Sequence, residues 1–138
     1  MKSNILLLLF ILFTFPSRAI HFRHLTMKDG LSQLSVMSIY QDKMGRMWFG
    51  TEEGINVYDG NSMVSYKFYI TGKLKMGIEA LYLDGDDAGN VYCCTGSALL
   101  KFDLVSQKMK CLIPIGVSTM SCHHNQIYFA RGNAIYMM

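Results

Sequence analysis

Residues 42–59 read DKMGRMWFGTEEGINVYD, and residues 86–103 read DDAGNVYCCTGSALLKFD. The two stretches align without a gap at an offset of 44 residues, and the matched pairs are Asp42 with Asp86, Gly45 with Gly89, Trp48 with Tyr92, Thr51 with Thr95, Ile55 with Leu99, Tyr58 with Phe102 and Asp59 with Asp103. A third copy begins in residues 125–138, NQIYFARGNAIYMM, where Tyr128 matches Tyr92 and Ile135 matches Leu99 at an offset of 36. The chain is therefore built from an internal repeat.

Each copy contains short apolar or aromatic segments that are separated by turns with Gly or Asp. The fourth segment of the first copy is MVSYKFY at 63–69, and that of the second is KMKCLIPI at 108–115. Four short antiparallel strands at a period of about 40 to 45 residues are typical of a β-propeller blade. The sequence thus predicts an all-β fold, a partial β-propeller of about three four-stranded antiparallel blades. The predicted blades cover about 31–69, 74–115 and, incompletely, 116–138.

The repeated residue types suit this architecture. Gly45 and Gly89 are predicted to allow the tight turn between the first and second strands, where Asp42 and Asp86 can bind backbone N–H groups. Trp48 could fill the interface between blades or offer a flat surface on which a sugar stacks. Because an aromatic residue recurs at this position in successive copies, we interpret Trp48 as a core residue.

The first nineteen residues, MKSNILLLLFILFTFPSRA, have the layout of a secretory signal helix. A basic start precedes an apolar run from Ile5 to Phe15, and the small residues Ser17 and Ala19 precede a cut before Ile20. The run is short of the roughly 20 apolar residues that span a bilayer. The sequence therefore predicts a signal peptide at 1–19 and an exported sensor-type domain at 20–138.

Composition and charge favour a folded domain without a nucleic-acid partner. Apolar residues make up 51% of the chain and charged residues 17%, as in globular proteins. Without Lys2 and Arg18 the chain has 11 basic and 10 acidic residues, so its formal charge falls from +3 to +1. The remaining lysines are scattered over predicted turns and edges, namely Lys73, Lys75, Lys101, Lys108 and Lys110. Such spacing gives no basic patch for nucleic acid.

The cysteines and histidines form no convincing framework for disulfides or metal ions. Adjacent side chains of a strand point to opposite faces, so Cys93 and Cys94 are not expected to pair. The sequence leaves open a bridge between Cys111 and Cys122. Residues 122–124, CHH, lack a second ligand pair at zinc spacing and are interpreted as a strand end and a turn. We therefore expect no metal and no cofactor.

Residues 24–60 closely resemble the two-component regulator propeller repeat. In that family L-T-x-x-D-G-L-S is followed by V-x-x-I-x-x-D-x-x-G-x-x-W-x-G-T-x-x-G-I-x-x-Y. The matching residues are Leu25, Thr26, Asp29, Gly30, Leu31, Ser32, Val36, Ile39, Asp42, Gly45, Trp48, Gly50, Thr51, Gly54, Ile55 and Tyr58. The later copies are degenerate, since Cys94 and Ala130 stand in place of Gly50.

The resemblance implies the N-terminal propeller of a periplasmic sensor in a hybrid two-component system. Such propellers recognise breakdown products of complex carbohydrates and regulate glycan-use genes through a membrane helix, a histidine kinase, a receiver and a DNA-binding domain. None of these later parts is recognisable in the 138 residues. The expected partner is an oligosaccharide, membrane contact is expected only through a downstream helix, and the full-length relative is expected to be a homodimer.

Two other functional classes remain open, a propeller enzyme acting on polysaccharide and a protein-binding scaffold. An enzyme needs a converging acid, base or metal set. The candidates lie in predicted turns or near the ends of segments, namely His21, His24, Glu52, Glu53, His123 and His124. We therefore assign no catalytic residue and no individual ligand contact. The loops expected to contact a ligand are Asp29 to Gln33 and Thr51 to Gly54.

The number of repeats leads to a further expectation about the chain alone. Closed propellers use about four to eight blades, and each blade buries its apolar face against the next. Two full copies and part of a third are expected to form an open arc. We therefore expect a fragment of a larger sensor that aggregates, oligomerises or unfolds noncooperatively by itself and lacks autonomous sensing.

Overall fold

The computed structural model describes residues 20–66, 69–70, 73–74, 79–103 and 105–138. The predicted signal peptide at 1–19 lies outside the described residues, as do Lys75 and parts of the first two predicted blades. Within the described ranges, no helix has the length and apolar character needed to cross a membrane.

The described residues form antiparallel sheets, which confirms the all-β partial propeller. The first sheet has the order β1-β2-β3-β4, with β1 at Val36–Gln41, β2 at Met47–Thr51, β3 at Gly54–Tyr58 and β4 at Met63–Tyr66. A two-stranded ribbon follows, with β5 at Tyr69–Ile70 and β6 at Lys73–Leu74. The second sheet contains β7 at Tyr82–Gly85, β8 at Val91–Cys94, β9 at Leu99–Asp103 and β10 at Lys108–Ile113. The third contains β11 at Thr119–His123, β12 at Gln126–Arg131 and β13 at Ala134–Met137.

The fourth strands are shorter than the sequence indicates. β4 ends at Tyr66, and Tyr69, predicted to belong to the same strand, lies in β5 of the separate ribbon. β10 ends at Ile113, directly before Pro114. Proline has no N–H to donate to a strand ladder, which explains this second boundary.

Tight turns join the first and second strands of each sheet. Gly45 and Gly89 have φ angles of 81° and 85°, in the left-handed region that glycine adopts without strain. Asp42 Oδ1 accepts the backbone N–H groups of Met44 and Arg46, each at 2.9 Å, as predicted for this turn. In the third sheet residues 124–125 form a two-residue turn with φ angles of 48° and 63°. The interpretation of residues 122–124 as a strand end and a turn is confirmed.

Successive sheets pack face to face through two apolar clusters. The first joins the first two sheets and consists of Trp48, Ile55, Val57, Ala80, Leu83, Val91, Cys93, Ala98, Leu100, Phe102 and Met109. The second joins the second and third sheets and consists of Tyr92, Cys94, Leu99, Val117, Met120, Ile127 and Phe129. Trp48 is 0% exposed, and its ring meets that of Phe102 edge-on at 4.9 Å between centroids. Its core position is confirmed, because a buried indole offers no surface to a sugar.

The two clusters define two faces for every sheet. We call the face that meets the following sheet the front face and the face that meets the preceding sheet the back face. Cys93 lies on the back face of the second sheet and Cys94 on its front face, as the alternation of a strand predicts. All four cysteines are free thiols in the structure, including Cys111 and Cys122. Burial raises the pKa of Cys94 to about 11 and that of Cys122 to about 12, so both stay protonated at neutral pH.

Backbone hydrogen bonds repeat between neighbouring sheets at equivalent positions. The N–H of Ala80 donates to the carbonyl of Thr51 at 2.9 Å, and that of Val117 donates to the carbonyl of Thr95 at 3.3 Å. The hydroxyl of each of these threonines also donates a hydrogen bond to a carbonyl at the end of the turn that follows it. Thr51 Oγ1 donates to the Gly54 carbonyl at 3.0 Å, and Thr95 Oγ1 donates to the Ala98 carbonyl. The repeated threonine therefore stabilises its own hairpin and the junction with the next sheet.

Candidate functional site

The two loops expected to contact a ligand meet at one edge of the first sheet. The segment before β1 and the turn between β2 and β3 lie at the same strand ends, which we call the upper edge. Ser32 Oγ lies 3.1 Å from Thr51 Oγ1, and Gln33 Nε2 donates to Glu52 Oε2 at 2.7 Å. The structure therefore brings Asp29 to Gln33 and Thr51 to Gly54 together.

A single 3₁₀ turn, Met27–Asp29, sets the path of the first loop. The backbone N–H and the hydroxyl of Thr26 donate to Asp29 Oδ2 at 2.8 and 2.9 Å. The backbone bond, and to a lesser extent the hydroxyl bond, lowers the pKa of Asp29. Gly30 then reverses the chain with a φ of 104°. Oδ2 of Asp29 thus caps the turn, which gives this residue a structural role in the loop.

Asn56 on β3 holds the loop against the sheet. Its Oδ1 accepts the Ser32 N–H at 2.9 Å and the Ser65 hydroxyl at 2.7 Å, and its Nδ2 donates to Ser32 Oγ at 2.9 Å. The side chain is fully buried, and the second sheet has Leu100 at the equivalent position. Sequence reasoning missed this residue, although an amide inside the apolar strand GINVY was the available signal.

Replacing Asn56 by Ala is expected to loosen the loop. The change leaves the Ser32 N–H without its partner, at a cost of about 1 to 3 kcal/mol for an unsatisfied buried group. Limited proteolysis should then cut residues 29–35 faster, while the matched variant Asn61→Ala in an exposed turn should behave like the parent. Equal cutting rates in both variants would show that Asn56 does not hold the loop.

An open pocket borders the same loop. It has a volume of about 360 Å³ and is lined by Thr26, Met27, Lys28 and Leu34. Met27 and Leu34 are largely exposed, and they place apolar surface beside the hydroxyl and the ammonium of the other two residues. Mixed polar and apolar surfaces of this kind suit a small polar ligand.

The candidate acid and base groups do not converge. Glu52 and Glu53 share the upper-edge turn, where the Glu52 carboxylate already accepts the Gln33 amide. Residues 123–124 are the last residue of β11 and the first residue of the turn after it, at the opposite ends of the strands, which we call the lower edge; their ring centroids are 3.9 Å apart. Among the described residues, no group of three or more His, Cys, Asp or Glu side chains is placed to hold a metal ion.

At the lower edge, each of the first two sheets contains a link between an aspartate and an aromatic residue. Asp42 Oδ2 accepts the Trp48 indole N–H at 2.8 Å, and Asp86 Oδ2 accepts the Tyr92 hydroxyl at 2.8 Å. Burial alone would raise the pKa of Asp42, but the hydrogen bonds from Trp48 and Arg46 outweigh it and lower that pKa.

The same balance lowers the pKa of Asp86, where burial is outweighed by the bonds from Asn90 and Tyr92. A cleft of about 260 Å³ separates the two lower-edge turns. Lys43 spans this cleft, with its ammonium 3.3 Å from Asp87 Oδ1. The aspartates are therefore structural groups of the turns, and the cleft between them is bridged by an exposed ion pair.

Known proteins match parts of the chain. The model of the family described as two component regulator propeller matches residues 30–53. Histidine kinase P4 of Formosa agariphila is 48% identical over 46 residues, which are 33% of this chain and 3% of that protein.

Two solved structures from B. thetaiotaomicron share the fold. The extracellular domain of what is described as a hybrid two component system superimposes with a TM-score of 0.68 at 24% identity, covering 84% of this chain and 18% of that one. The extracellular domain of what is described as a one component system gives a TM-score of 0.57 at 12% identity, covering 75% and 16%. The chain thus spans less than a fifth of either domain. The resemblance predicted from the sequence is confirmed over residues 30–53, which match the two component regulator propeller repeat.

Proposed function

We propose that the chain is part of the extracellular propeller of a two-component sensor that recognises breakdown products of complex carbohydrates. The observation that carries the proposal is the joined pair of upper-edge loops, in which Ser32 and Gln33 bind Thr51 and Glu52. The family match, residues 30–53, includes these four residues. Loops held on a rigid sheet are where binding residues concentrate.

The chemistry of the upper edge suits sugar hydroxyls. Gln33 and Glu52 present amide and carboxylate groups that donate and accept hydrogen bonds, and Glu53 is exposed beside them. The adjacent pocket adds Lys28 and the apolar surface of Met27. The hydroxyls of a neutral or acidic oligosaccharide could replace the water that is hydrogen-bonded to these groups. Such binding needs no covalent step.

Calorimetry with a panel of polysaccharide digests would test this proposal on a protein that contains the chain together with its following domains. We expect Gln33→Ala and Glu52→Ala to weaken oligosaccharide binding at least tenfold. The control Lys43→Ala changes an exposed residue of the lower edge and should bind like the parent. Unchanged affinity in both upper-edge variants would contradict the proposal.

Export and signalling complete the proposal. Residues 1–19 act as the signal peptide and deliver the chain to the periplasm, so N-terminal sequencing of exported protein should begin at Ile20. Recovery of the intact Met1 end in the membrane fraction would contradict this. The small share of each relative that the chain matches supports a longer sensor, in which later domains carry the membrane helix and the kinase and form the homodimer.

The enzyme and scaffold alternatives predict different experimental results. An enzyme would release products from a polysaccharide, yet the candidate glutamates and the residue 123–124 histidines lie at opposite edges. A scaffold would bind a protein and ignore oligosaccharides in the same calorimetric panel. Either outcome would replace the sensing proposal.

A further inference from the structure

Residues 20–23 match the fourth strand of the first sheet. The offset of 44 residues that relates 42–59 to 86–103 also relates IHFRHL at 20–25 to VSYKFY at 64–69. The chemically similar pairs are Ile20 with Val64, Phe22 with Tyr66 and Arg23 with Lys67. The matched strand β4 ends at Tyr66, but the fourth strand of the second sheet, β10, has six residues where β4 has four. We therefore take the matched strand to reach Arg23.

The spacing to the following sheet supports the match. Ile39 of β1 pairs with Phe49, and Leu83 of β7 pairs with Cys93, so β1 and β7 are also 44 residues apart. The length of chain between residues 20–23 and β1 therefore equals that between residues 64–67 and β7. In the first sheet the fourth strand lies at one edge, and the chain continues from it towards β7. Residues 20–23 have the same relation to β1.

The position of the segment in space agrees with this assignment. Tyr66, at the end of β4, contacts the Phe102 ring on the back face of the second sheet, with 5.0 Å between the ring centroids. Tyr58 is the equivalent of Phe102 in the first sheet. The Arg23 guanidinium donates to the Tyr58 hydroxyl at 2.7 Å and lies 5.6 Å from the ring centroid. The segment thus contacts the first sheet where β4 contacts the second, although through Arg23 and not through Phe22, the residue matched with Tyr66.

Residues 20–25 lack the partner strand that a fourth strand requires. They belong to no sheet among the described residues, and Ile20 and Phe22 are 79% and 76% exposed. The first sheet does not supply the partner, since its third strand, β3, already pairs with β2 on one side and β4 on the other. A partner strand fixes which side chains face the neighbouring sheet. Pairing is therefore expected to turn Phe22 towards Tyr58.

We propose that residues 20–23 form the outermost strand of the sheet that precedes the first sheet, and that they pair with the third strand of that sheet in a part of the same protein outside residues 20–138. The chain spans less than a fifth of the solved extracellular domains, so domains of this fold contain enough chain for such a sheet. If residues 1–19 are the signal peptide proposed above, the third strand follows residue 138 and the pairing closes the ring of sheets. Closure removes the open edges of an arc.

The pairing would also fix the candidate ligand loop. Residues 24–35 connect the proposed strand to β1, and the first sheet already holds their middle part, because Asn56 accepts the Ser32 N–H and the Ser65 hydroxyl donates to the Gly30 carbonyl. The loop would then be attached to one sheet at its start and to the next sheet along its length. The strand pairing does not depend on which ligand binds.

Site-resolved hydrogen exchange tests the pairing on a protein that contains the chain together with its following domains. An antiparallel edge strand bonds its neighbour through every second N–H, so alternate amides of residues 21–24 should be protected. We expect these amides to exchange at least about a hundredfold more slowly than in an unstructured peptide. Exchange of all four amides at the unstructured rate would overturn the proposal. Protection that appears only in a dimer and disappears on dilution would also overturn it, because the partner strand would then belong to a second copy.

Proline substitutions identify the bonded N–H groups. Proline has no N–H, and an edge strand tolerates it only where the N–H faces solvent. Phe22→Pro and Arg23→Pro are each compared with alanine at the same position, which removes the side chain but keeps the N–H. One proline variant should lose the protection of the other bonded amide at least about tenfold relative to its alanine control, and the second proline variant should retain it. Loss in neither variant, or equal loss in both, would contradict a strand at residues 20–23.

Discussion

Replacing Trp48 by Ala is expected to lower the free energy of unfolding by about 3 to 5 kcal/mol, the usual cost of removing a large buried aromatic side chain. Trp48 is fully buried between the first two sheets and packs on Phe102. The change also removes the indole N–H that binds Asp42. Chemical denaturation followed by circular dichroism would measure the loss.

The matched variant Trp48→Tyr should lose much less stability. The second sheet has Tyr92 at the same position, where its hydroxyl binds Asp86 as the indole binds Asp42. If Trp48→Ala instead left stability unchanged and abolished oligosaccharide binding, the residue would be a sugar platform and not a core residue.

The substitution Asp42→Asn is expected to cost about 1.5 to 3 kcal/mol at pH 7, the range for hydrogen bonds to a charged group. The carboxylate accepts bonds from Arg46 and Trp48 side chains and from turn N–H groups. Its pKa is lowered in the folded chain, so the stabilisation is complete above the ordinary carboxyl pKa of about 4. It is lost as the pH falls below that value through the lowered pKa.

The difference in stability between the parent and Asp42→Asn should therefore be largest at neutral pH and shrink below about pH 4. Denaturation curves at several pH values would show this trend. Asp87→Asn is the control, because Asp87 is exposed and its ion pair with Lys43 contributes about 0 to 1 kcal/mol. A difference that stays constant between neutral and acid pH would show that the charge of Asp42 is not responsible.

The repeat made most of the fold predictable. An offset of 44 residues places Gly45 and Gly89 in equivalent turns, and the recurrence of aromatic residues at the Trp48 position indicates a buried interface. Strand limits were less predictable, since the ribbon of β5 and β6 follows β4 where a longer strand was expected. Short strands depend on neighbouring contacts more than on local propensity.

The sequence predicted the two loops of the candidate site, but it did not predict the side-chain hydrogen bonds within them. The expectation that a propeller binds ligands through its loops pointed to Asp29 to Gln33 and Thr51 to Gly54, and the structure joins these loops. The capping role of Asp29 and the anchoring role of Asn56 depend on three-dimensional distances that spacing alone does not give. The link from Asp42 to Trp48 depends likewise on the register of β1 and β2.

The central claim, that the sheets are blades stacked in sequence, is tested most directly by amide hydrogen exchange at Ala80 and Val117. Both N–H groups are buried and donate to threonine carbonyls of the preceding sheet, so their exchange requires the sheets to separate. We expect both amides to be protected to about the level of strand β8. Exchange at the rate of an unstructured chain, while the amides of β8 remain protected, would contradict the stacking of the sheets.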